Sequence, residues 1–257
     1  MSVVLWGAVA VLVAVVFALA GRALVARLVP MRMRASDNTA FGTIYAALYV
    51  LYALSLAFAL FTVWGEYREA QRTTDTEADT VADLHQLAKQ FPEPERQQIQ
   101  DLSHSYARAV IVEEWPLLGQ GLASRRSPQA QALADELVQT VEDFEPTTSA
   151  EQIHYTQDLT LVQAFDDARE LRLLESHQGI PAILWVVLLV GGVLTISFTF
   201  FFGMETTWLH SASIAALTML VVLILFTISR VEYPFTGDIQ VTPADFESAL
   251  DRMEGEQ

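Results

Sequence analysis

The stretch AFGTIYAALYVLYALSLAFALFTVWG, Ala40 to Gly65, carries no Asp, Glu, Lys or Arg. A hydrocarbon layer about 30 Å thick takes about 20 residues of α-helix to cross, because each residue rises only about 1.5 Å. A buried helix of a large soluble protein would keep a polar face at helical period over such a length. The segment FALFTVW, Phe58 to Trp64, shows no such face. The stretch therefore reads as a membrane span, and one with a peculiarity: Tyr45, Tyr49 and Tyr52 recur inside it at helical spacing.

Three further charge-free runs accompany it, Val3 to Gly21, Ser176 to Met204 and Thr206 to Ser229, the last two separated only by Glu205. Each is long enough to cross. The expected fold class is all-α: an integral membrane protein with four transmembrane helices and a helical extramembrane domain inserted between the second and third. The expected boundaries are a first hairpin over 1–64 (helices 3–29 and 40–64) and an inserted domain over 65–178. A second hairpin covers 179–229 (helices 180–203 and 208–229), and a tail covers 230–257. Ala18-Leu19-Ala20 has the small-x-small form of a signal-peptide cleavage site. No basic residue precedes that run, however, and its apolar part exceeds the usual 7 to 15 residues or so, so it reads as a retained helix.

Charge is segregated along the 257 residues. The chain is 52% hydrophobic and 18% charged, with a net charge of −16. Between Gly65 and Glu175 there are 9 basic and 22 acidic residues, and the tail from Arg230 is acidic too, whereas the connector from Arg22 to Ala40 is net +3. An acidic extramembrane domain excludes nucleic acid as a partner and repels anionic surfaces, but it attracts cations. Without cysteine there is no disulfide, thiolate metal site or cysteine nucleophile. Four arginines in the short connector place it in the cytoplasm by the positive-inside rule, which puts the acidic domain outside. Arg68, Arg72, Arg169 and Arg172, near helix ends on the other side, weaken that bias.

Nothing stops the second span at the membrane: there is no proline from Gly65 to Phe91, so the helix is expected to continue as one rod of about 50 residues, with Gly65 the weakest point in it. FPEPER opens a helix whose face is Ile99, Leu102, Tyr106, Val110 and Glu113, expected to end at Pro116, with a loop from Leu117 to Arg126. Ser127-Pro128 caps the next helix, with Leu133, Leu137, Val141 and Phe144 inward. Ser149 and Gln152 have capping-box spacing for the last, with Ile153, Leu161, Phe165 and Ala168 inward. The tail reads as irregular to Pro243 and helical to Met253, held down by Tyr233, Phe235, Ile239, Val241 and Phe246.

On a helical wheel Tyr45, Tyr49 and Tyr52 fall within about 60° of each other, and Ser55, Ala59 and Thr62 extend the band. A phenol near the middle of a span needs a partner or water. One account makes the tyrosines an interfacial belt. The other turns the stripe toward sister copies around a pore, so that Tyr45, Tyr49, Tyr52, Ser55, Ala59 and Thr62 form a weakly polar wall and Leu56 and Phe58 a dewetting gate. Glu205 and His210, in the turn between the last two spans, are spaced to relay a proton or bind a cation. Glu113 and Glu114 point about 100° apart on a helix, so VEEWP reads as a helix end pinned by Trp115. The five histidines show no metal-ligand spacing, and no nucleotide loop or nucleophile elbow appears. No cofactor, no metal and no enzymatic activity are expected.

The tail segment YPFTGD, with Pro234, Phe235, Gly237 and Asp238, resembles the Pro-Phe-Gly plus acidic tail after the last span of bestrophins. Together with NTAFGTIYAAL, SYARAVIVEEWP, GIPAILW and FFFG followed by His210, the chain resembles the bacterial bestrophin-like family. That resemblance implies a homo-oligomer, pentameric in bestrophins, acting as an ion channel in the lipid bilayer. It also implies a cytosolic inserted domain and a neck lined by the second span. The apolar neck of bestrophins is not reproduced in the tyrosine stripe, nor are the consecutive acidic residues of their calcium clasp, since Asp238, Asp245 and Asp251 are spread out. The alternative from another class is a membrane-anchored scaffold or sensor whose acidic domain binds a partner protein or divalent cations.

Overall fold

The computed structural model describes residues 3–29, 38–120, 127–176, 179–202 and 206–255. All regular structure among them is helical. In chain order the helices are α1 (Val3–Leu28), α2 (Asn38–Leu87), α3 (Glu95–Ala109), α4 (Trp115–Gly119), α5 (Pro128–Glu142), α6 (Ser149–Glu175), α7 (Ala182–Phe198), α8 (Thr207–Val231) and α9 (Ala244–Gly255). A π-helical turn, Val110–Glu114, joins α3 to α4. Short 3-10 turns follow α2 and α7. The chain divides into two compact units, Met1–Trp64 with Gly179–Glu232 and Gly65–Gln178 with Tyr233–Gln257, and α2 contributes to both.

The first unit contains the four segments that are long and apolar enough to cross a membrane: Val4–Leu28, the start of Gly42–Gln90, Ala182–Phe201 and Thr207–Val231. Lipid tails give no hydrophobic drive for spans to associate, so close packing has to supply it. Ala18 of α1 meets Phe200 and Ile214. Three residues on, Gly21 leaves no space for a side chain, since a Cβ there would lie 2.8 Å from Phe200 Cε2. At the far end of α8, the buried Glu232 carboxylate accepts from the Ile180 backbone N–H (3.1 Å) and from Trp185 Nε1 (3.0 Å), tying the entry of α7 to the exit of α8.

The second unit has its own core. Ile99, Leu102 and Tyr106 of α3, Leu137 and Val141 of α5 and Phe165 of α6 are buried together with Phe235, Phe246 and Met253 of the tail. Trp115 is central: its ring lies edge-on to Phe235 (5.6 Å) and Phe246 (6.0 Å), and its indole N–H donates to Val241 O. Tyr233 and Ile239, expected to hold the tail down, are exposed instead.

The second helix is one rod of 50 residues that runs through Gly65 without a break. A helical glycine is destabilising by only about 0.5–1 kcal/mol relative to alanine, and Gly65 lacks the positive φ of a helix stop. Other local expectations are corrected: Pro116 sits in the first turn of α4 rather than ending a helix, since that turn does not need the N–H that proline lacks. The capping box lies one residue earlier than expected, at Thr148 and Glu151. Glu151 Oε2 accepts from the Thr148 N–H, the Thr147 N–H and the Thr147 hydroxyl, more than the Gln152 side chain could take up. Ile153, expected inward, is exposed. Ser127 caps α5 as read, accepting from the Ala130 N–H at 3.2 Å.

Candidate functional site

The membrane part of α2 has two faces of opposite character. Tyr52 is 6% exposed, and its hydroxyl donates to Leu188 O of α7 at 3.1 Å. Its ring lies on Gly191 and Gly192: a Cβ on the first would fall 2.7 Å from Tyr52 Cδ2, and on the second 2.8 Å from the hydroxyl. Leu56 and Val63 are buried on the same side. Tyr52 and Leu56 therefore do not face water or a sister copy, correcting the expectation that they wall a conduit. The phenol's need for a partner within hydrocarbon is met inside the chain, by a third-span carbonyl.

Nearer the start of α2, the Tyr45 and Tyr49 rings lie 6.1 Å apart and Tyr45 stands edge-on to Phe202 at 5.4 Å. Together with His210, Ile214 and Leu217 these rings line a cavity of about 330 Å³. Ser55 returns its hydroxyl to Leu51 O (2.9 Å), and Ala59 is half-buried. Phe58 and Thr62 are exposed. Around the rest of α2, from the flank of Tyr52 to its far side, Ile44, Leu51, Leu54, Phe58 and Phe61 are all 52–77% exposed. The last four recur at alternating spacings of three and four, as a seam between helices does.

The turn before α8 is only partly described, with Glu205 outside the described residues. His210 is buried, and its Nε2–H donates to Thr199 O (2.9 Å). That leaves Nδ1 as the acceptor for Arg22 Nε at 3.4 Å, while Arg22 Nη1 donates to Ser211 Oγ at 2.7 Å. In the tail, Gly237 adopts φ +85°, letting the chain turn back so that Val241 N–H donates to Pro234 O (2.8 Å). Phe235 enters the core, and Asp238 points to solvent. The tail motif thus clasps the second unit.

A buried charge cluster in the second unit was not anticipated. Arg172, fully buried, donates through Nε and Nη2 to Glu77 and through Nη2 to Glu114 at 2.6 Å. One turn earlier on α6, Arg169 reaches Glu114 (3.2 Å) and the Tyr106 hydroxyl (2.7 Å). Tyr106 in turn donates to Glu77. Burial pushes the Glu114 carboxyl up, but Arg172 and Arg169 outweigh it and hold the group below the usual carboxylate range. Burial, and then the Glu77 charge, push the Tyr106 phenol well above its ordinary value. The guanidinium planes also rest on aromatic faces, Arg169 on Tyr106 and Arg172 on Trp115 and Phe246. Two carboxylates balance two guanidiniums, so the cluster carries no net charge. Its sequence trace was the i, i+3 pair Arg169 and Arg172 in line with Phe165, which charge counting alone assigns to the surface. Among the described residues no group of three or more acidic or histidine side chains is arranged to hold a metal ion.

The sequence profile of the bestrophin-like domain matches residues 12–246. The fold is similar to crystal structures of a bacterial bestrophin homologue from Klebsiella pneumoniae carrying single substitutions. One such variant aligns with a TM-score of 0.67 at 10% identity, covering 94% of this chain and 98% of that one. Another aligns with a TM-score of 0.67 at 9% identity, covering 96% and 99%. A further crystal structure, of a membrane protein with one proline-to-alanine substitution, aligns with a TM-score of 0.68 at 10% identity over 94% and 97%. No curated protein sequence matches the chain.

Proposed function

We propose, from the premise that this chain belongs to the bestrophin-like family, that it is a homo-oligomeric ion channel with the exposed apolar face of α2 lining the conduit. The observation that carries this reading is the row Leu51, Leu54, Phe58 and Phe61, left uncovered while Tyr52, on another face of the same helix, is closed against α7. A row with this spacing suits parallel copies of one helix around an axis. An apolar ring at such an axis holds water poorly, so it gates by dewetting while the ring stays narrow. Phe58 keeps the gate role read from the sequence, with Leu54 and Phe61 replacing Leu56 beside it.

Planar-bilayer recordings of the purified full chain test this. Phe58→Ala and Leu54→Thr are expected to raise open probability or conductance. Tyr52→Phe, facing α7, is expected to leave single-channel conductance unchanged. Unaltered conductance in both seam variants would remove α2 from the conduit. A chain that is monomeric in nanodiscs and does not conduct would point instead to an anchored scaffold acting through its acidic unit.

A further inference from the structure

We infer that the membrane unit holds an anionic phospholipid, with its headgroup phosphate on Arg22 and one acyl chain in the cavity bounded by Tyr45, Tyr49, Phe202, His210, Ile214 and Leu217. The inference does not depend on conduction. A charged side chain within a span is costly and calls for a partner. Arg22 lies within α1, half-buried, and its side-chain partners are neutral: His210 Nδ1 and Ser211 Oγ. Among the described residues no carboxylate lies within ion-pair distance of it. A guanidinium has five N–H donors in a planar fork that matches phosphate oxygens, and these two bonds leave the rest for a ligand.

The cavity lies one imidazole ring away, since His210 both lines it and accepts from Arg22. At about 330 Å³ it falls at the small end of the roughly 300–1,000 Å³ typical of ligand pockets. Its polar lining is largely satisfied from behind. Ser213 donates to Leu209 O, Thr199 to Ile196 O and His210 Nε2 to Thr199 O. The remaining walls are aromatic and aliphatic, and the Tyr45 and Tyr49 hydroxyls are the donors suited to an ester carbonyl. A fixed cation beside an apolar slot, in the unit built to sit among lipids, matches a molecule with an anionic head and a hydrocarbon tail. Basic pockets between spans bind anionic headgroups by the same chemistry. A free phosphate would leave the slot empty, and a zwitterionic lipid would bring a second cation toward the guanidinium.

The test is native mass spectrometry and thermal melting of the delipidated full chain titrated with phosphatidylglycerol, phosphatidylcholine or acyl-free glycerophosphoglycerol. Phosphatidylglycerol is expected to be retained at least tenfold more strongly than phosphatidylcholine and to raise the melting temperature, and the acyl-free head is expected to do neither. Arg22→Gln should abolish that preference and Arg22→Lys should restore most of it. Leu217→Trp, which fills the slot, should cut retention of both lipids. Equal retention of the two lipids, a melting increment from the acyl-free head matching the lipid's, or an undiminished preference in Arg22→Gln would each overturn the inference. Because the preference is a ratio within each variant, a loss of stability in any one of them does not imitate the result.

Discussion

Replacing Arg172 with methionine is expected to destabilise the second unit by about 3–5 kcal/mol, the range for removing one partner of a buried ion pair. The structure places it there for three reasons. The side chain is fully buried, so water cannot take its place. It is the bidentate partner of Glu77 and a second partner of Glu114, so both carboxylates lose a donor at once. Methionine approximates its volume and retains contact with Trp115 and Phe246, so cavity formation contributes little and the electrostatic loss dominates. The cluster would pass from neutral to a net charge of −1 in a site closed to solvent. Arg172→Met combined with Glu77→Gln restores neutrality, and it should recover more than half of the loss. The assay is urea unfolding of the full chain in detergent micelles, read by pulse proteolysis of the extramembrane unit. A single-variant loss under about 1 kcal/mol, the scale of an exposed pair, would refute the reasoning. So would a double variant whose losses simply add, because residues sharing one network should couple.

Acid should act on this unit in two directions. Glu114 is held low by Arg172 and Arg169 against its burial, so its contribution is full above the ordinary carboxylate range and is lost as pH falls through its depressed folded value. Asp83, Asp245 and Glu175 are raised, first by burial and then by neighbouring carboxylates, so their folded forms bind protons more tightly and stability falls as pH rises through that window. Melting temperature should therefore peak in mild acid, and Asp245→Asn should flatten the neutral limb; a steady rise from pH 4 to 8 would contradict the sign given for the raised carboxyls, and unchanged stability on acidification below pH 4 the sign given for Glu114. In the membrane unit, Gly191→Ala forces a methyl into the Tyr52 ring and should destabilise by about 1–3 kcal/mol, relieved by a compensating Tyr52→Ala; additive losses in a double-variant cycle would show that the two do not touch. Ser127→Ala removes the α5 cap, together with the bond from Ser127 Oγ to Glu113 (2.9 Å), and should lower stability by about 1–2 kcal/mol in urea unfolding.

What the sequence disclosed follows the range of the forces involved. Four spans and a helical insertion were legible because hydrocarbon thickness acts on every residue of a run alike, as in Ala40 to Gly65. The α5 cap was legible because Ser127 and Ala130 are three residues apart. The direction of the phenolic stripe was not, because the acceptor for Tyr52 is a carbonyl 136 residues away and the glycines beneath its ring belong to α7. The cluster of Glu77, Glu114, Arg169 and Arg172 was hidden for the same reason: each charge, taken on its own helix, has the composition of a solvated face. Helical spacing makes Glu113 the inward residue after Val110, but the π-helical turn, with its wider loop of backbone, brings Glu114 to that face and leaves Glu113 half-exposed beside Ser127.

The two faces of α2 constrain each other. Turning the helix to bring Tyr52 toward a central axis would strip its hydroxyl of Leu188 O, leaving a phenol to be solvated in a low-dielectric layer. The same turn would drive the branched side chain of Leu51 or Leu54 toward Gly191 and Gly192. The flat tyrosine ring already fills that space to within 3 Å of where a Cβ would stand, and a branched or thicker side chain would not enter. The helix is therefore held in one rotational setting by a hydrogen bond and by shape together, and the row from Leu51 to Phe61 faces outward as a consequence. A gate built from that row would then open by separation of neighbouring copies or by rotamer changes of Phe58, with α2 keeping its register on α7. A disulfide engineered between α2 and α7 should accordingly leave opening intact, and loss of opening in the oxidised form alone would show that α2 must turn.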